Sequence, residues 1–403
     1  MTSQMSNVSS LPDGLPAGVA SRFDDDLIER LLDLRRDLHR HPELSFDEHR
    51  TKTRLQEFMS DLPVDCTEVA QTGLVVRIAG RGGGPTVAIR GDMDALPIQE
   101  QTGLPFASAV DGRMHACGHD VHATWVAGAG SLLAEQPAAG DVLVVFQPGE
   151  ESGRGARTII ESGVLEGVQA IFGAHVDRDY EVGQVVVKPG SIAASADFFE
   201  VTFHGAGGHA ARPHEASDPL TAAAASVTQL NGIAPRRLAP DRHSVLSITR
   251  FRSGEAKNII PEKARLAGTI RATDVDARDD LAATLQRVMR GTADAHGVDV
   301  DVEITRLVPP LISSDREAEW VESAARELLG DEGIVPLRTV NLAGEDFAHY
   351  LEDRPGCFFR VGAREAGGER ISAHSPRFYA ADGSIFVGAS ILAAAARKAA
   401  SAS

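Results

Sequence analysis

Between Arg113 and His122 the chain reads Arg-Met-His-Ala-Cys-Gly-His-Asp-Val-His, which sets three histidines, a cysteine and an aspartate within ten residues. His115, Cys117 and His119 occupy every second position. Extended backbone would place those three side chains on one face, and a tight turn at Gly118 would gather them further. A thiolate beside neutral imidazoles suits a borderline transition metal such as zinc. The plain alternative is a buried cysteine among histidines that only hydrogen-bond.

Metal-competent residues recur where short apolar runs end. Thr86 to Arg90 leads into Asp92 and Asp94, Val142 to Phe146 into Glu150 and Glu151, and Ala170 to Ala174 into His175. In α/β sheets ligands gather beyond the carboxyl ends of strands. Neighbouring carboxylates there point in different directions, so one can hold a metal while the other faces water. Turn acids that cap the next segment, or a surface Glu-Glu pair, are the bland counterparts. Three buried strands in succession ending on such residues favour a site.

The elements that must position these groups follow from periodicity. Leu27, Leu31, Leu34 and Leu38 step at helical spacing behind Asp24, Asp25 and Asp26, and Pro42 ends that helix. His39 and His41 at its end read as caps or surface groups. Thr51 to Leu62 is a second helix, and Ala123 to Glu135 an Ala-rich third. Leu74 to Ala79 and Thr86 to Arg90 read as strands joined in a hairpin by the glycines between Gly80 and Gly84. After Lys188 the style changes: Ala196 to His204 alternates, and strands mix with two helices up to about Arg306. The chain therefore divides into a disordered lead over 1–22, a catalytic α/β unit over 23–188 and 307–403, and an inserted α+β unit over 189–306. The catalytic unit is expected to hold a mostly parallel sheet covered by helices.

The composition narrows the partners. The 403 residues carry a net charge of -17, which argues against nucleic acid or an anionic membrane as the main partner. No run of about 18 apolar residues or secretory leader is seen, and three cysteines fit a reducing compartment, so a cytoplasmic location is expected. Cys66 and Cys357 read as small buried residues.

In this order the strings Leu34–Ser45, Arg90–Pro97, Met114–Asp120, Gln147–Glu151, Gly208–Ala210, Asn258–Pro261 and Gly268–Arg271 resemble one family. It comprises the di-metal peptidases that include aminoacylases and glutamate carboxypeptidases. Within it the chain looks like the amidohydrolase branch of hippurate hydrolases, N-acyl-amino-acid amidohydrolases and indole-acetyl-amino-acid hydrolases. The resemblance covers nearly everything after about Asp25. It implies that Cys117, His119, Glu151, His175 and His374 bind two divalent ions, zinc or manganese. It also implies that Glu150 is the general base and acid, and that Asp94 orients a ligand. His209 would stabilise the oxyanion, in some relatives from a partner subunit. Asn258 and Arg271 would lie near the substrate's carboxylate or amide. The inserted unit resembles the family's lid or dimerisation domain, which implies a homodimer or homotetramer. One departure is visible: Leu342-Ala343-Gly344-Glu345-Asp346 has Ala-Gly where relatives more often have Gly-Ser.

The implied chemistry is coherent. Two cations about 3.5 to 4 Å apart lower the pKa of a shared water and polarise a carbonyl oxygen. A thiolate can bridge such a pair and an imidazole cannot readily do so, which assigns the bridge to Cys117. Glu150 would move the proton from water to the leaving amine. His115, Asp120 and His122 read as supporting or helix-start residues rather than ligands. The expected activity is hydrolysis of an N-acyl amino acid to a carboxylate and an amino acid. A dipeptidase or carboxypeptidase with the same site is one rival, and a metal-holding protein without catalysis another. Glu150, present with every implied ligand, counts against the latter.

Overall fold

The computed structural model describes residues 12, 14–239 and 242–402. These fall into two units, one reaching to Gly190 and including Ser313–Arg338 and the chain from His349 on, the other Ser191–Ile312 with Thr339–Ala348. Residues 339–348, expected within the catalytic unit, group with the second unit instead.

In the first unit, β-branched and aromatic runs become a seven-stranded sheet. Its four central strands, in the order Val142–Gln147, Val87–Asp92, Ala170–Glu181 and Gly356–Arg364, are parallel. Antiparallel strands complete the edges: Asp65–Val69 and Gly73–Ile78 on one side, Val185–Val186 on the other. The strands Val87–Asp92, Val142–Gln147 and Gly356–Arg364 are buried throughout, and Ala170–Glu181 is buried over its apolar first half, as a sheet covered on both faces requires. The expected α/β class with a mostly parallel central sheet is thereby met.

The expected hairpin is not. Gly73–Ile78 pairs with Val142–Gln147, which lies between it and Val87–Asp92. The glycines serve a close approach instead: Arg81 and Gly82 N–H donate to the carbonyls of Ala138 and Ala139 at 2.9 and 2.8 Å. A Cβ on Gly80 would stand 2.4 Å from the Gly140 backbone. The segment lies along the approach to Val142 and cannot fold back as a two-residue turn.

Helix His119–Glu135 packs against helices Gly383–Ala399 and Asp25–Arg40. Every residue from His119 to Leu133 is buried, so the helix forms the centre of the core rather than an amphipathic cover. Trp125, wholly buried, lies against Gly388, where any side chain would clash with the indole. Of the lead assigned to 1–22, residues 1–11 and 13 lie outside the described residues. Ala17–Ala20 is a helical turn with Val19 fully buried, because Leu15 and Val19 join the apolar core; that part is not disordered. Cys66 is exposed, contrary to expectation, on the open edge strand Asp65–Val69, whereas Cys357 is buried.

The second unit is a four-stranded antiparallel sheet in the order Ser244–Ser253, Lys263–Ala272, Ala196–His204, Asp299–Val308. Burial alternates along Ala196–His204, with Phe199, Val201 and Phe203 inward. Helices Pro219–Asn231 and Val275–His296 contribute Leu230, Leu281 and Leu285 to the same core. A bidentate pair between Arg278 and Asp197, at 2.8 and 2.6 Å, fastens the longer helix to the sheet.

Candidate metal centre

The residues around Cys117 do not run as one strand. Gly118 takes φ of 85° and ends the approach, and His119 is already the first residue of its helix. A side chain at Gly118 would be strained at that φ, and its Cβ would come within 2.5 Å of Val176. The turn brings Cys117 and His119 together and leaves His115 aside. His115 is buried, and both its ring nitrogens lack a hydrogen-bond partner among the described residues. Burial pulls its pKa down to about 4, so its ring is neutral.

Asp94, just past the strand Val87–Asp92, organises the centre. One carboxylate oxygen accepts from His119 Nδ1 at 3.1 Å and from the Glu150 N–H at 3.2 Å. The other accepts from the Ser45 hydroxyl at 2.7 Å and the Glu151 N–H at 3.0 Å. One buried carboxylate thus directs a ring and pins the turn that carries both glutamates. With Nδ1 donating, His119 presents Nε2, which stands 4.0 Å from Glu150 Oε2 and 3.9 Å from Glu151 Oε1.

His175 sits within the strand Ala170–Glu181, not at its end as the sequence suggested. The strand Val87–Asp92 stops pairing with it at Gly173, so the sheet opens beside His175. Its Nδ1 lies 2.7 Å from the Val176 carbonyl and must donate to it, which leaves Nε2 facing Cys117 Sγ at 3.2 Å. His374 reaches the centre on a loop whose N–H bonds the Ala116 carbonyl at 2.8 Å. Its φ of 65° is one that few residues other than glycine adopt. Its Nε2 is 3.4 Å from Glu151 Oε1.

Five clusters of potential ligands result among the described residues, each with ligand atoms within 4.8 Å of one another: Asp92 with His119 and His122, His119 with Glu150 and Glu151, Glu150 with Glu345 and Asp346, and two that contain Cys117, one with His119 and His175 and one with Glu151 and His374. Those last two share the Cys117 sulfur. The His119 Nε2 atom, wholly buried, finds no hydrogen-bond partner among the described residues. A buried polar atom left without a partner costs about 1–3 kcal/mol unless something coordinates it. Sulfur, imidazole nitrogen and carboxylate oxygen together are a donor set for divalent transition metals, so the residues fit the ions that the resemblance implies. Burial pushes the Cys117 thiol up to about 12, with Glu151 adding to the shift and His119 opposing it. Burial disfavours a charged His119, but Asp92 and Cys117 outweigh it and hold that imidazole well above its ordinary value. Cations at these atoms would displace both protons.

Three contacts escaped the sequence. His39 is no surface cap: it is buried, with Nδ1 2.8 Å from Asp120 and Nε2 3.2 Å from Glu100. His41 does cap, bonding the Asp37 carbonyl at 2.9 Å. Glu48, fully buried, accepts the Gly149 N–H at 2.9 Å and so supports the glutamate turn. Only the resemblance carried by the Arg- and His-rich string Leu34–Ser45 signalled that this region serves the centre.

The remaining expected site residues belong to the second unit. His209 and Asn258 are exposed neighbours: the strands Gly208–His209 and Ile259–Ile260 pair, and the Asn258 carbonyl accepts from Ala210 at 3.0 Å. Arg271 is half-buried on Lys263–Ala272, where burial lowers its pKa against the Asp197 carboxylate. Gly344 of the Ala-Gly departure lies close by: a Cβ there would stand 3.7 Å from Arg271 Nη1 and only 2.9 Å from Ala196.

The chain matches the model of Peptidase family M20/M25/M40 over residues 88–398. It is 41% identical over 337 residues to the N-acetylcysteine deacetylase of Bacillus subtilis (strain 168), covering 83% of this chain and 88% of that protein. It is 35% identical over 371 residues to thermostable carboxypeptidase 1 of Saccharolobus solfataricus, covering 88% and 94%. A solved Bacillus subtilis structure, described as a dinuclear metal binding peptidase from the M20 family, superposes with a TM-score of 0.83 at 36% identity, covering 93% and 99%.

Proposed function

The chain belongs to peptidase family M20/M25/M40 and is a hydrolase, and from that premise we propose that it cleaves the amide bond of an N-acyl amino acid. The observation that carries the reading is the shared Cys117 sulfur between two ligand sets, His119 with His175 and Glu151 with His374. The likeness to a deacetylase of an N-acyl amino acid supports the substrate class.

In this reading Cys117, His119, Glu151, His175 and His374 would hold two divalent ions, zinc or manganese, the Cys117 sulfur being the atom common to both ligand sets. When bound, such a pair supplies Lewis acidity, acidifying water and polarising the amide carbonyl. Glu150 takes a proton from the attacking water on its carboxylate and returns it to the departing nitrogen. Its backbone N–H is anchored on Asp94, which sets where that carboxylate starts from. Asp94 also keeps the His119 proton on Nδ1, so Nε2 stays a donor of electrons. His209 donates to the developing oxyanion, and Asn258 and Arg271 read the substrate's carboxylate, the planar guanidinium matching its two oxygens. The second unit serves as lid or dimerisation domain. Among the described residues no helix is long and apolar enough to cross a membrane.

The test is turnover on N-acetyl, benzoyl and long-chain acyl amino acids against plain dipeptides, after chelation and with each metal restored. The proposal expects metal-dependent release of the free amino acid from the acylated panel. A preference for dipeptides with a free amine would replace it with the carboxypeptidase reading, which the 35% identity to thermostable carboxypeptidase 1 favours.

A further inference from the structure

Where Val87–Asp92 stops pairing, the polar groups of Val176 on that side of the strand lose a neighbouring strand. Backbone N–H and C=O of one residue in a strand point the same way, and both need partners when buried. Two histidines supply them. The Val176 N–H donates to His122 Nε2 at 2.9 Å, and the Val176 carbonyl accepts from His175 Nδ1 at 2.7 Å.

The directions of these bonds are forced. An amide N–H only donates, so His122 Nε2 carries a lone pair and its single proton sits on Nδ1. That proton points at Asp92 Oδ1, 2.6 Å away. The other Asp92 oxygen accepts from Arg90 at 2.6 Å. Arg90 Nε bonds Gln147 Oε1 at 2.8 Å, and the Tyr350 hydroxyl donates to the same oxygen at 2.9 Å. Arg90, Asp92, His122 and Gln147 have no solvent exposure. Trp125 stacks on the His122 ring with centroids 4.5 Å apart and planes 21° apart, which opposes rotation of the imidazole.

We propose that His122 is a positioning residue that holds the Val176 peptide and, through it, fixes the place and tautomer of His175, so that the His175 Nε2 lone pair faces Cys117. His122 binds no ion in this scheme. It closes the gap left by the ended strand while keeping the opening that admits the Cys117 turn. The inference rests on the assignment of His175 as a metal ligand.

Gln and Asn at position 122 separate this role from simple packing. A Gln amide oxygen reaches the Nε2 position and can accept the Val176 N–H. Asn reaches only the Nδ1 position, keeping a donor toward Asp92 and leaving Val176 without an acceptor. The metal-free full-length proteins are titrated with cobalt(II), reading ion stoichiometry, affinity and the thiolate-to-cobalt absorption. Thermal melts report folding.

His122→Gln is expected to keep two ions and the unsubstituted spectrum. His122→Asn is expected to lose about 10- to 100-fold in affinity for one ion, with an altered thiolate band. Equal binding by the two variants, or loss in Gln with retention in Asn, overturns the proposal. Failure of His122→Gln to fold also counts against it, since the acceptor is what the site is held to need. If His122→Asn alone fails to fold, the Gln protein decides the matter by keeping or losing both ions. His175→Ala is the control: if it keeps both ions at full affinity, the ligand assignment falls. If it loses one while Gln and Asn behave alike, only the role of His122 falls.

Discussion

His119 and Asp94 are joined by a 3.1 Å bond from ring Nδ1 to carboxylate Oδ1, and the same carboxylate holds the backbone N–H groups of Glu150 and Glu151. A ring and two glutamates that come from different strand ends are thus referenced to one anion. An amide in its place turns donors toward donors on one side. Asp94→Asn is expected to leave at least one buried N–H or hydroxyl unpaired, costing about 1–3 kcal/mol, and to weaken metal binding by about 10- to 100-fold. Thermal melting with and without metal, together with a competition titration, measures both losses.

Glu150→Gln removes the proton carrier and leaves the five implied ligands in place. Metal content is expected to be unchanged, while kcat on an N-acyl amino acid falls by about 10²- to 10⁴-fold. Normal turnover by the Gln protein would remove Glu150 from the mechanism.

Cys117→Ser exchanges a thiolate for a hydroxyl that stays protonated and bridges poorly. Bound metal, measured by elemental analysis after dialysis, is expected to fall below that of the unsubstituted protein. Equal content would deny Cys117 the bridging place.

Gly118→Ala meets two obstacles: φ of 85°, and a Cβ 2.5 Å from Val176. The left-handed backbone alone costs a side chain about 1–2 kcal/mol, and relief of the clash would displace the strand that bears His175. A lower melting temperature and weaker metal binding should appear together. A fall in stability with unchanged metal affinity would show that the turn does not set the ligand geometry.

His39 gives stability a pH dependence. Burial disfavours its charge, but the Asp120 and Glu100 carboxylates outweigh burial, and its pKa is raised above the usual value of about 6.5. A group with a raised folded-state pKa stabilises fully below its unfolded pKa and loses that contribution as pH rises through the folded one. Stability is therefore expected to decline above about pH 6.5, and His39→Gln should flatten that decline. Identical pH profiles for the two proteins, by chemical denaturation, would refute the coupling.

Much of this protein is written locally. Unbroken apolar runs announce covered strands, and the chemistry-bearing types at Asp94, Glu150, Glu151 and His175 stand just beyond those runs in the sequence. Alternation along Ala196–His204 likewise announces a half-buried antiparallel sheet. Pairing partners are not local, because hydrogen bonding between strands depends on which segments meet. Hence Gly80–Gly84 looks like a hairpin turn until Val142–Gln147 is seen to intervene. The environment of His39 is equally illegible, since Asp120 and Glu100 reach it only after the chain has folded. The spacing of His115, Cys117 and His119 suggests one strand face, yet a single left-handed glycine turns His119 into a helix start and sets His115 aside. Side-chain identity was fixed by the sequence; the direction of the lone pairs on His119 and His122 was decided by the distant groups, Asp94, Asp92 and the Val176 peptide, that the tertiary structure brought to their ring nitrogens, whereas His175 takes its direction from the carbonyl of its own neighbour Val176.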